Sequence, residues 1–216
     1  MNFLPLYVYF ITLSFLVSLK VYYNQTDSYL KLFPPFLFLT LVAEFIGSYL
    51  YYTGRNNLFI YNFFSVFEFS FYLVFISSII RYGRAKLIMI LAGAIYITAS
   101  TVNILFVQGM RAFHTVTYSL GCLLIVAACI YYFLELFKQP KYVNLTKNPA
   151  FWICSGLLFF YCCGFPLYAF INFWARFKWM IKSFGDIFII LNIFLYSLFT
   201  IAFLCSKTRK YTLSPS

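Results

Sequence analysis

What most constrains this chain is that its apolar residues come in seven runs of roughly membrane-crossing length, separated by short polar connections. The hydrocarbon layer is about 30 Å thick and an α-helix rises 1.5 Å per residue, so a run of about 20 residues reaches across it. In lipid such a run must be helical, because a helix satisfies its backbone polar groups internally. The runs are 3–19, 33–52, 58–80, 87–107, 115–137, 151–173 and 187–205. The expected fold is therefore all-α, a polytopic transmembrane bundle of seven helices over residues 1–206, followed by a basic cytoplasmic tail at 207–216. Composition agrees: 10% of residues are charged, where a soluble domain carries about 25%. The first run is expected to stay as a helix and not be removed as a leader, since no Lys or Arg precedes it and Lys20 lies on its far side.

Lys and Arg accumulate on the cytoplasmic side of short loops. Seven crossings put the termini on opposite faces. One face, formed by the first, third and fifth connections and the C-terminal tail, carries eleven of the 16 basic residues, and the other carries five. The expected orientation is N-terminus outside and C-terminus in the cytoplasm. The exception is the connection 174–186, where Arg176, Lys178 and Lys182 alternate with Trp174, Phe177, Trp179 and Met180. That alternation reads as an interfacial helix.

The net charge of +11 is spread over short loops in groups of three or fewer. It therefore implies anionic lipid headgroups at the cytoplasmic loops as partners, and no nucleic acid. All six cysteines fall inside the runs, where they behave as packing residues. With His114 as the sole histidine, no metal site and no cofactor are expected.

Against this background two acidic residues stand out, Glu44 in the second run and Glu68 in the third. The short turn at 53–57 makes those runs an antiparallel hairpin. At 1.5 Å per residue the carboxylates lie about 12 and 15 Å below the outer surface, in one layer. Each belongs to a polar stripe at helical spacing: Thr40, Glu44, Gly47, Ser48 and Tyr51 on one helix, Tyr61, Ser65, Glu68 and Tyr72 on the other. Ala43 and Gly47 form a small-xxx-small pair that permits close helix approach. Two acids at mid-membrane with no basic residue at that depth should share a proton or admit a cation. Asn62, Asn103, Asn192 and Tyr168 also fall in the outer half, and Gly164 and Pro166 should bend the sixth run there, so a small polar cavity is expected beside the pair. Glu135, three residues before Lys138, reads instead as half of a surface pair.

No catalytic motif is expected. Cys154-Ser155-Gly156 resembles part of the Gly-x-Ser-Gly signature of rhomboid proteases, but Ile153 stands at the first Gly position and no later run holds a His. Asp186 follows Gly185 much as in aspartyl intramembrane proteases, but a second intramembrane Asp is lacking, so Asp186 reads as the N-cap of the seventh run.

The segments 43–50, 57–62 and 67–72, with Pro149-Ala150-Phe151-Trp152 leading into 156–161, resemble a group of uncharacterised seven-helix bacterial integral membrane proteins. The resemblance implies a helical bundle in a bacterial inner membrane, with Glu44 and Glu68 at the group's two acidic positions, and carries no activity. The expected function is a membrane binding or sensing module, not an enzyme, that holds a small ligand at the carboxylate layer and addresses a cytoplasmic signalling partner. The alternative is a proton- or cation-coupled transporter of small molecules using the same pair.

Overall fold

A computed structural model describes residues 4–24, 28–110, 112–138, 144–170 and 178–208, with side chains placed for all of these except 21–24, 178–182 and 206–208. Among the described residues seven α-helices carry the chain: α1 Tyr7–Asn24, α2 Phe33–Tyr52, α3 Leu58–Ile79, α4 Gly83–Val102, α5 Thr115–Phe137, α6 Pro149–Ala169 and α7 Lys178–Thr208. Six of them are long and apolar enough to cross a membrane, whereas the apolar part of α1, Tyr7–Lys20, is shorter. The chain is thus a multi-pass helical bundle among the described residues.

Local chemistry sets the helix ends. Pro34 and Pro35 occupy the first turn of α2, where a missing N–H costs nothing. Asn148 caps α6 by accepting the Ala150 N–H at 3.2 Å, and Pro149 follows it. The α2–α3 turn needs Gly54 at φ +70°, a left-handed conformation that disfavours a Cβ. It is closed by the Arg55 N–H donating to the Leu50 carbonyl at 2.8 Å.

Packing arranges the helices as a closed ring in the order α1, α2, α3, α5, α6, α7 and back to α1. Helix α4 lies outside it, against α3 and α5. Its buried residues Met89, Gly93, Tyr96 and Ser100 recur every three or four positions, as one helical face requires. The opposite face, with Ile88, Leu91 and Ile95, is exposed. A turn of π-helix, Asn103–Val107, ends α4.

Where α2, α3 and α7 meet, the core is almost wholly aromatic. Phe33 is fully buried and its ring lies 5.1–6.3 Å from those of Phe36, Phe71, Phe75, Phe199 and Phe203. Phe36 stacks flat on Phe71 at 3.9 Å. Between α3 and α5, Phe69 packs on Tyr96, Tyr118 and Tyr161. It leaves so little room that a Cβ on Gly121 would sit 2.9 Å from the ring.

Three expectations are corrected here. Lys178–Thr208 is one continuous helix, so residues 178–186 are not a separate interfacial helix and Asp186 lies inside α7 instead of capping it; residues 171–177 lie outside the described residues. Glu135 accepts the backbone N–H of Arg81 at 2.8 Å, tying the α3–α4 connection to the end of α5, and forms no pair with Lys138. Residues 209–216 of the expected tail lie outside the described residues.

Candidate functional site

All six helices of the ring line one internal cavity of about 310 Å³. It lies toward the end shared by the α2–α3 turn and the α4–α5 connection, as its lining by Leu58, Tyr61 and Phe113 requires. Below it, toward the opposite end, the fully buried Phe36, Phe69, Tyr72, Tyr161 and Phe199 form a packed floor.

Glu44 and Glu68 both stand at the wall of this cavity, and they are close enough to interact electrostatically. Their surroundings differ. Glu44 accepts hydrogen bonds on one oxygen, Oε2, from the hydroxyls of Tyr7 at 2.8 Å and Tyr61 at 3.3 Å. Tyr61 reaches it because α2 has a glycine at position 47: a Cβ there would lie 2.6 Å from the Tyr61 hydroxyl oxygen. Asn57 secures the same approach by donating its amide to the Gly47 carbonyl at 3.3 Å. Glu68 has the hydroxyls of Tyr72 and Tyr161 as neighbours, but neither meets hydrogen-bonding geometry with any group.

The other polar residues singled out in the sequence divide into two sets. Thr40, Tyr61, Ser65 and Asn192 line the cavity, although Thr40 spends its donor on the helix carbonyl of Phe36 and Asn192 one of its two on that of Phe188. Tyr72 lies in the floor beneath Glu68, and Ser48 is buried in α2 away from the cavity. Asn62 and Asn103 also stand behind the wall. Asn62 donates to the Ala112 carbonyl at 2.8 Å and accepts the His114 N–H at 3.3 Å, fastening α3 to the α4–α5 connection. Asn103 donates to Gln108 at 2.6 Å and to Thr117 at 3.1 Å, bracing the π-helical turn against α5.

Sequence reasoning passed over Tyr7, Tyr118, Tyr196 and His114. Tyr7 is one of five aromatic residues in the shortest run, and only the packing of α1 between α2 and α7 gives it a role. His114, just ahead of the spanning part of α5, is fully buried. Its Nε2 lies 2.6 Å from the Oγ of Ser65, a lining residue, and its Nδ1 lies 2.7 Å from the Oγ1 of Thr117.

Burial pushes the His114 imidazole down to about 4 from its ordinary 6.5. Above pH 6.5 folded and unfolded chains are both neutral there and the histidine leaves stability unchanged. Between about 6.5 and 4 only the unfolded chain takes up the proton, so stability falls on acidification, by up to about 3 kcal/mol. Unfolding midpoints at pH 7 and pH 4.5 should show this loss in the native chain and a smaller one in His114→Gln, where the other acidic groups still titrate. Equal losses in both would show that His114 does not supply it.

All six cysteines are free thiols, and the described residues hold no cluster of three or more His, Cys, Asp or Glu suited to a metal ion. Comparison with family models, curated proteins and solved structures gave no match to this chain.

Proposed function

We propose that this chain is a bacterial inner-membrane protein that binds a small ligand in the central cavity and serves as a binding or sensing module. The observation that carries this reading is a blind cavity, built by every helix of the ring and containing two carboxylates, above a floor of packed aromatic rings. Ligand pockets are concave, largely apolar and furnished with a few polar groups, and a volume of 310 Å³ lies at the small end of their range. Because each ring helix touches the guest, binding would alter contacts on all six at once, a suitable start for a signal sent along the bundle.

In this reading α1 completes seven crossings, with the N-terminus outside and the C-terminus in the cytoplasm. The cavity then faces the outer half. The basic loops at the opposite end meet anionic headgroups and a cytoplasmic signalling partner.

A thermal-shift screen of chemically diverse small molecules tests the reading, using wild type, Glu44→Gln and Glu68→Gln in parallel. A compound that stabilises the wild type and neither variant is the expected result. If no compound in the screen depends on either carboxylate, the ligand site is lost. Proteoliposomes provide the second arm: substrate-driven proton uptake abolished by Glu44→Gln would replace the sensor with the coupled transporter.

A further inference from the structure

Resting on the cavity being a ligand site, we infer that its guest is a small protonated amine with an apolar body. The aromatic content of the wall is the first argument. Nine of the fifteen lining residues are Phe or Tyr, compared with an aromatic share of 25% for the chain. The excess is concentrated at this wall and is not a simple reflection of composition. Rings such as Tyr118, Tyr168, Phe160 and Phe188 offer π-faces to a cation and apolar area to its carbon body.

Charge is the second argument. The lining contains two carboxylates and no Lys, Arg or His. Electrostatically it selects positive guests and rejects anions.

Hydrogen-bond supply then narrows the kind of cation. Both tyrosine hydroxyls at Glu44 converge on Oε2, which leaves Oε1 without a donor among the described residues. Glu68 accepts no well-formed hydrogen bond there, and the Tyr72 and Tyr161 hydroxyls beside it are themselves buried without partners. Glu44 Oε1 and the Glu68 carboxylate therefore keep acceptor capacity for donors brought by a guest. A protonated amine supplies up to three N–H donors together with the compensating charge. A quaternary ammonium has no N–H, a neutral alcohol has no charge, and a divalent ion demands six or more oxygens that two carboxylates do not provide. The volume corresponds to about ten water molecules and so limits the amine to about ten heavy atoms.

The test is calorimetric titration of the full chain in lipid nanodiscs at pH 7. The probes are phenethylamine, tyramine and cyclohexylmethylamine, with 2-phenylethanol, phenylacetate and trimethylphenylammonium as size-matched comparisons. At least one amine is expected to bind about tenfold or more tightly than the alcohol, the acid and the quaternary ion, and to lose about tenfold or more in Glu68→Gln. Failure of all three amines to bind overturns the inference, as does equal or tighter binding of any comparison compound, or undiminished amine binding by a folded Glu68→Gln. Should that variant fail to fold, the ranking of ligands on the wild type decides alone. Binding of the alcohol or the acid that is lost in Glu44→Gln would refute the amine while keeping the ligand site, an outcome distinct from a screen in which nothing depends on the carboxylates.

Discussion

Phe33→Ala is expected to destabilise the protein by about 3 kcal/mol, the largest effect of any single substitution considered for this fold. The residue is fully buried at the meeting of α2, α3 and α7, with five aromatic partners in contact. In a bilayer the transfer contribution is small, because a displaced ring meets lipid and not water. What remains is the unfilled space and the loss of edge-to-face contacts worth about 0.5–1.5 kcal/mol each. Reversible unfolding in mixed micelles measures the change. Phe33→Leu should recover about half of it, since Leu refills part of the volume. A loss below about 1 kcal/mol in the Ala variant would mean that neighbouring rings collapse into the gap and that the aromatic layer is not rigid.

Gly121→Val should cost nearly as much, about 3 kcal/mol, by the opposite mechanism. A Cβ at this position meets the face of Phe69 at 2.9–3.0 Å, and that ring is held from other sides by Tyr96, Tyr118 and Tyr161. It has little space into which to retreat. Relief would require pressing on Tyr118, which lines the cavity, or Tyr161, a neighbour of Glu68, so ligand binding should weaken with stability. Combining the change with Phe69→Leu should restore part of the loss, giving a coupling energy of about 1 kcal/mol or more. Simple additivity would show that the backbones of α3 and α5 separate instead.

These effects belong to a fold whose elements were largely legible. The bounds of α2 coincide with its apolar run, Phe33–Tyr52, because Pro34 and Pro35 punctuate one end and the Thr53–Gly54 turn the other. The bounds of α7 do not. Alternating aromatic and basic residues there suggested a helix lying along the interface, but helix propagation needs only continued hydrogen bonding, so α7 begins at Lys178, well before its apolar stretch. The depth of a residue follows from helical rise, so Glu44 and Glu68 could be assigned to one layer from their positions. The direction a side chain faces depends on which helices become neighbours, and a single chain does not encode that legibly. Hence Asn62 and Asn103, sited in the correct half, stand behind the cavity wall, while Tyr7, with no distinguishing context, reaches Glu44.

The packed aromatic floor beneath Glu68 carries a consequence for information flow. In the proposed reading, a vessel sealed at its base equilibrates with one compartment alone, so occupancy would report the concentration on that side and ignore the other. Two solutions of different composition could then be kept apart while a message, but no molecule, passes between them.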